Sequence, residues 1–283
     1  MLLSQMYLAD EPLRRWIKAY WLVEGDGRSD TYHRYDLIPD GCATLMLILD
    51  GSLRLPWYQE SRIGYGVYIV PPNAEPFDNL ISDDIYHIDI QLNPGVFFYL
   101  FNIPPEELGN RIYPAEELSL RIDPDTIEKL ISRRNDIPTL IRTLDAWMLG
   151  LFCGRGFESD RLLFGVNDLY LDGNLDRFFL NQSLSIRQLE RNVRTATGLT
   201  PKTISRIGRF YGILEQMKAH PERQKIAYTE LETRFADQSH FIREFKSFTG
   251  VPPNRFLARS ENYLQYCGLC SYHLRFESRT KSA

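Results

Sequence analysis

Apolar positions in the first third of the chain come in short runs separated by turn-forming residues. Thr44–Gly51 (TLMLILDG) is nearly continuous in apolar character. Tyr86–Leu92 (YHIDIQL) alternates, setting Ile85, His87 and Asp89 against Tyr86, Ile88 and Ile90. "IPDGC" and "VPPNAEP" read as turns between such runs, and several short strands in succession predict a sandwich or barrel. The period then changes to that of helices. "NPGVFFYLFNIPPEELGN" predicts a short helix, a loop and a further helical turn. "DPDTIEKLISRR" starts at a capping Asp123 with Pro124 in the first helical position. "IPTLIRTLDAWMLGLF" gathers Ile137, Leu140, Ile141, Leu144, Met148 and Leu151 on one face, which suits either a core or a dimerising helix. Glycine and polar residues over Cys153–Asp160 mark a linker. From Asp160 onward the spacing is helical, with breaks at Gly173, Gly198–Pro201, Pro221 and Gly250–Pro253, and no strand is expected there. The pattern predicts two domains, 1–155 and 156–283.

Within the helical half one pattern occurs twice. In Leu184–Pro201, Ser185 caps, Leu189 and Val193 point inward, Arg187, Glu190, Arg191 and Arg194 point outward, and Gly198 stops the helix. In Ala236–Pro253, Asp237 caps, Phe241 and Phe245 point inward, Ser239, His240, Arg243 and Lys246 point outward, and Gly250 stops the helix. The two copies are in register from cap to stop. Each follows another short helical stretch, "NLDRFFLNQS" and "YTELETRF". Helix, tight turn and a second helix with a basic outer face is the arrangement that lays a reading helix in the major groove of DNA. Between the copies, Lys202–Ala219 would form a helix of about 27 Å, against about 34 Å for one turn of B-DNA.

These residues carry a resemblance. "DQSHFIREFKSFTGVPPNRF" and "LSIRQLERNVRTATGLTPK" are similar to the second and first helix-turn-helix units of the AraC/XylS transcription regulators. In the N-terminal half, "AYWLVEG", "DLIPDGCATLMLIL" and "IQLNPGVFFYLFNIPPEELGNRIYP" resemble the sensor domain of one AraC-type subgroup. The resemblance implies an α+β chain: an N-terminal cupin-like β-barrel with helices, then an all-α domain with two helix-turn-helix motifs. It implies base contacts from Arg187, Glu190 and Arg191 in the first unit and from Gln238, Ser239, His240 and Arg243 in the second. Ser185, Lys202 and Lys246 are the implied phosphate contacts. Arg forks onto guanine, Gln onto adenine, and Glu accepts from cytosine. Arg191 and Arg243 equally suit phosphate or open solvent, and His240 equally suits a place against its own helix start. The chain departs from the family in its supporting helices. Phe179 and Glu230 stand where a small alanine is common, and Ser183 and Arg234 where the turn glycine is common. Glu230 is expected to point outward or to pair with Arg234.

Composition changes this picture little. Hydrophobic residues at 43% supply packed cores, and no apolar run is long enough to span a membrane. The first residues lack the layout of a secretory leader, so a cytoplasmic protein without membrane contact is expected. Charge is more informative. Residues 160–283 carry 19 Lys and Arg against 13 Asp and Glu, whereas residues 1–159 carry 14 against 24. A basic half behind an acidic half suits double-stranded DNA as a partner. An unidentified small-molecule effector, RNA polymerase and a second copy of the chain are the other partners implied.

No catalytic group, metal or cofactor is expected. Asp83–Asp84 reads as a turn, Cys42 has no evident base, and His33 and His87 form no ligand cluster. Cys42 and Cys153 read as free core cysteines, and the lone Cys267–Cys270 pair as incidental or redox-active. Tyr20, Trp21, Trp57, Tyr65 and Tyr68 suit either a core or the wall of an effector cavity. Two readings of other kinds stay open: a ligand-binding or enzymatic barrel whose helical tail has lost DNA binding, and an adaptor docking an acidic protein.

Overall fold

The structure, a computed structural model, describes residues 2–25, 32–55, 61–109, 111–120, 123–153, 160–219 and 238–258. Among the described residues ten strands come first: β1 (Leu2–Tyr7), β2 (Ile17–Gly25), β3 (Tyr32–Leu37), β4 (Ala43–Asp50), β5 (Leu53–Leu55), β6 (Ser61–Ile63), β7 (Gly66–Val70), β8 (Phe77–Ser82), β9 (Tyr86–Leu92) and β10 (Tyr113–Pro114). They form two antiparallel sheets, β1-β2-β9-β4-β7-β10 and β3-β8-β5-β6. Neither sheet closes on itself, so the expected barrel is here a pair of open sheets facing each other.

The first sheet is covered on both sides, and this explains why β4 reads as an apolar run. Leu45 and Leu47 join Tyr20, Leu22, Ile88 and Ile90 in a core beneath the helices. Met46 and Ile48 join Leu53, Leu55 and Ile81 in a second core between the sheets. A strand solvated on one face would alternate; one buried on both need not.

Helices α1 (Val96–Phe101), α2 (Pro124–Ser132) and α3 (Ile137–Phe152) complete this half. Asp123 and Asp136 accept from the backbone N–H groups of Asp125 and Thr139, which satisfies donors that the first turns leave free. On α3, Leu140, Ile141, Leu144 and Met148 are buried in the helix-side core. The stripe that suited core or dimer therefore faces the core. Asp145 shares that face. Its Oδ1 accepts from the Tyr20 hydroxyl at 2.9 Å and from the Asp10 backbone N–H at 3.2 Å. Burial and this carboxylate hold the Tyr20 pKa well above its ordinary value.

Among the described residues six helices follow: α4 (Arg161–Asp172), α5 (Leu175–Leu180), α6 (Ile186–Thr197), α7 (Pro201–Ala219), α8 (Gln238–Thr249) and α9 (Pro253–Ala258). The described residues beyond Asp160 contain no strand. Phe210 of α7 lies 5.3 Å from Phe245 and 4.8 Å from Phe248, and Phe245 lies 5.2 Å from Phe256. These rings join Val193, Ile204 and Ile207 in one core.

The repeat extends to its hydrogen bonds. At the end of α6 the buried Thr197 hydroxyl donates to Val193 O at 2.8 Å and sits 3.0 Å from both Leu199 O and Leu199 N. At the end of α8 the buried Thr249 hydroxyl donates to Phe245 O at 2.9 Å, with Val251 O at 2.7 Å and Val251 N at 3.3 Å. Gly198 and Gly250 both have φ +73°, a left-handed conformation that glycine adopts without a Cβ penalty. Thr197→Val and Thr249→Val are each expected to lower stability by about 1–2 kcal/mol, because each orphans a buried backbone group. Urea unfolding of the two variants checks this, and unchanged midpoints would show that the turns hold without the hydroxyls.

Candidate nucleic-acid interface and interdomain cavity

Helix α6 begins at Ser185, whose hydroxyl accepts from Gln188 N at 3.4 Å, and it buries Leu189 and Val193. Arg187, Glu190 and Arg191 are exposed on its other side. Helix α8 buries Phe241, Phe245 and Phe248 and leaves Gln238, Ser239, Arg243 and Lys246 exposed. Lys202 is exposed in the first turn of α7. Side-chain direction thus follows the expected division at these positions. Asp237, Glu230, Arg234, Trp57, Cys267 and Cys270 lie outside the described residues, as does the side chain of His33.

Two charged residues of the reading helices have other duties. Glu244 of α8 accepts from Arg206 Nε of α7 at 2.8 and 3.0 Å. The Arg206 guanidinium also lies 5.3 Å from the centre of the Phe248 ring. This brace fixes α8 against the helix between the two units. His240 is half-buried, with Nε2 3.6 Å from Glu244 Oε1, so it leans along its own helix. On α6, Arg194 Nε donates to Glu106 Oε2 at 2.8 Å, a bond that reaches back to the first half of the chain. A Cβ on Gly198 would meet Pro105 Cβ at 3.1 Å, so the end of α6 sits directly against the turn Pro105–Glu107. The sequence placed Arg194 with the outward cations and singled out neither Glu106 nor Glu244.

The supporting helix α5 accommodates its unusual residue. Phe178 takes the buried place, and Phe179 packs half-buried beside it, with ring centres 5.5 Å apart. Ser183 is not among the residues with positive φ, so this turn is made without a left-handed residue.

Between the two sheets lies a cavity of about 500 Å³. Its walls are mainly apolar, including Met6, Trp21, Val23, Met46, Leu53, Ile81 and Ile112. One side is formed by the helical half, through Asn167, Tyr170 and Leu171 of α4 and Gly208, Tyr211 and Gly212 of α7. Of the aromatics that suit either a core or a cavity wall, Trp21 lines the cavity, Tyr20 lies in the helix-side core, Tyr65 is 66% exposed and Tyr68 packs in the core between the sheets.

The polar groups of the cavity are ordered along β9, where Gln91, Asp89 and His87 line it one after another. Gln91 accepts from Trp21 Nε1 at 2.8 Å and donates to Asp40 Oδ2 at 2.7 Å. Lys18 Nζ is 3.5 Å from the same Asp40 oxygen and donates to the Tyr170 hydroxyl at 2.7 Å. It also lies 5.1 Å and 4.8 Å from the ring centres of Tyr170 and Tyr211. A single lysine on β2 thus bridges the sheet to both helices that wall the cavity. Cys42 is buried beside it, and burial raises its thiol pKa, which keeps it protonated and unreactive. Among the described residues, no group of three or more His, Cys, Asp or Glu side chains is placed to hold a metal, and no helix is long and apolar enough to cross a membrane.

Residues 182–259 match the family described as a helix-turn-helix domain, and residues 5–114 match a domain of unknown function, DUF6597. No curated protein matches the chain. Solved structures similar to it include ToxT from Vibrio cholerae, at 12% identity over 90% of this chain and 98% of that one, with a TM-score of 0.46. An unsaturated fatty acid-bound ToxT aligns at 14% identity over 90% and 94%, with a TM-score of 0.41. The AraC-like transcriptional activator CuxR aligns at 12% identity over 80% and 87%, with a TM-score of 0.30. With the domain match lying on the two in-register units, the chain carries an AraC-type helix-turn-helix domain, with a DUF6597 domain in front of it.

Proposed function

We propose that the chain reads two successive major grooves of double-stranded DNA and that a small molecule in the interdomain cavity modulates this reading. The observation that carries the proposal is α7. It separates the two reading helices, and its residues Gly208, Tyr211 and Gly212 also wall the cavity. An occupant of the cavity therefore touches the element that sets the distance between the readers. In this reading, residues 1–155 form a cupin-like regulatory domain and residues 156–283 the DNA-binding domain. The chain acts as a regulator rather than an enzyme, in the cytoplasm, with RNA polymerase and a second copy of the chain as further partners.

Arg187, Glu190, Arg191, Gln238, Ser239 and Arg243 are the proposed base contacts, and Ser185, Lys202 and Lys246 the phosphate contacts. The role implied for His240 narrows, because its imidazole already faces Glu244. Phosphate contacts fix register, whereas base-edge contacts carry sequence information. Selection of bound duplexes from a random DNA pool by the full chain tests the reading: a two-part consensus spaced by about one helical turn supports it, and recovery of no consensus overturns it. Arg243→Ala is then expected to cost about 1–3 kcal/mol on the selected duplex and to relax preference at particular base pairs. Competition binding across single-base variants measures this, and uniform weakening would assign Arg243 to phosphate.

A further inference from the structure

The polar stripe on β9 is only half satisfied. Gln91, nearest the Lys18–Asp40 pair, has a donor and an acceptor, but His87 Nδ1 and Asp89 Oδ1 are buried without a hydrogen-bond partner. His87 is 3% exposed, and its Nε2 lies 3.3 Å from Asp89 Oδ2. Both residues line the cavity. The strand register sets Asp89 between Trp21 of β2 and Met46 of β4, and His87 between Val23 and Ile48. The neighbours in the sheet are therefore apolar and offer no hydrogen bond in return.

With its proton on Nε2, toward Asp89, the imidazole leaves Nδ1 as an acceptor, and an ionised Asp89 is an acceptor only. Two acceptors thus wait side by side for donors. The charges around the cavity agree. Lys18 is matched by Asp40. Arg14 is exposed, with its Nε on the Ala9 carbonyl. Among the described residues, the Asp89 carboxylate has no Lys or Arg beside it, only His87 Nε2 at 3.3 Å from its Oδ2. A buried polar group without a partner is costly, and an unpaired charge more so.

Resting on the reading of this cavity as the effector site, we propose that its ligand is an organic cation: an apolar body with a protonated amine, or a similar multi-donor head, seated between His87 Nδ1 and Asp89 Oδ1. The body lies against Trp21, Met46 and Ile81. The head supplies the missing donors and neutralises the carboxylate. A carboxylate head would set a second anion beside Asp89 and leave both acceptors empty.

Titration calorimetry of the full chain with 3-phenylpropylamine, 3-phenylpropanol and 3-phenylpropanoate holds the body fixed and changes the head. The amine is expected to bind at least about tenfold more tightly than the carboxylate, the ratio a close buried charge pair supports, with the alcohol between them. Asp89→Asn is expected to remove most of the amine's advantage. The same variant keeps an oxygen that can face His87 Nε2 and removes the charge from an oxygen that has no partner, so it should melt no lower than the parent, and this separates lost binding from lost folding. Met46→Trp, which fills the cavity, should abolish binding of all three. If the carboxylate binds most tightly and Lys18→Met abolishes that binding, the head assignment is overturned while the cavity reading stands. If none of the three binds, the assigned ligand class is overturned. If the amine binds Met46→Trp as well as it binds the parent, it sits elsewhere, and both the assignment and the cavity reading fall.

Discussion

Phe245→Ala is expected to lower the stability of the helical half by about 3–5 kcal/mol, the cost of truncating a buried phenylalanine and leaving a cavity. Phe245 is fully buried, and its ring is in contact range of Phe210, Phe241 and Phe256 at 5.2–5.6 Å. Those rings come from α7, α8 and α9, so one truncation loosens the three helices that hold the second reader in place. A domain is stable by only about 5–15 kcal/mol, so the loss is a large share of the total. DNA binding should fail together with folding. Chemical unfolding followed by helix signal, alongside DNA titration at low temperature, checks both. A variant that melts normally yet binds no DNA would show that the aromatic cluster aims the helix rather than holding the fold.

DNA binding by the intact chain is expected to weaken by about 10²-fold between 50 and 200 mM salt. Each neutralised phosphate contributes about 0.9 to the slope of log affinity against log salt. Five cations, Arg187, Arg191, Lys202, Arg243 and Lys246, are exposed on or beside the reading faces. With the two proposed phosphate contacts, Lys202 and Lys246, and one or two of the arginines also close enough to displace counterions, the slope is about −3 to −4. The double variant Lys202→Ala, Lys246→Ala should reduce its magnitude by nearly two, since these lysines are proposed to position rather than read. Anisotropy titrations on the selected duplex at four salt concentrations measure the slope. A flat dependence would count against a phosphate-bound complex and favour the adaptor reading, in which the basic helices dock a protein.

The sequence made local structure legible wherever one face decides it. β9 spans Tyr86–Leu92 as its alternation indicates, α2 starts at Pro124 behind the Asp123 cap, and α6 and α8 bury the apolar positions that their spacing picks out. What depends on distant strands was not legible. Alternation on β9 says that His87, Asp89 and Gln91 share a side; it does not say that this side faces an enclosed cavity rather than water. Asp145 lies on the buried face of α3 because Tyr20, 125 positions earlier, reaches it. Glu244 looks like any solvated carboxylate until Arg206 of α7 is placed beside it. The buried Thr197 and Thr249 were legible in principle, since both precede the stop glycine of an in-register repeat. They belong neither to the apolar nor to the charged positions that carry the repeat, and their hydrogen bonds appear only once the helix ends are placed.

The two reading helices are anchored to different bodies. Helix α8 is braced to α7 through Arg206 and Glu244, within the helical half, whereas α6 ends on the N-terminal half through Arg194, Glu106 and the turn beneath Gly198. On the proposed function, the halves of the binding site then answer to different masters. A shift of the N-terminal half would reach the first reader directly and the second only through α7, so occupancy of the cavity would change contacts more over one half of a DNA footprint than over the other. Such a regulator need not leave its site to change state. It can keep one hand on the DNA and use the other as the switch.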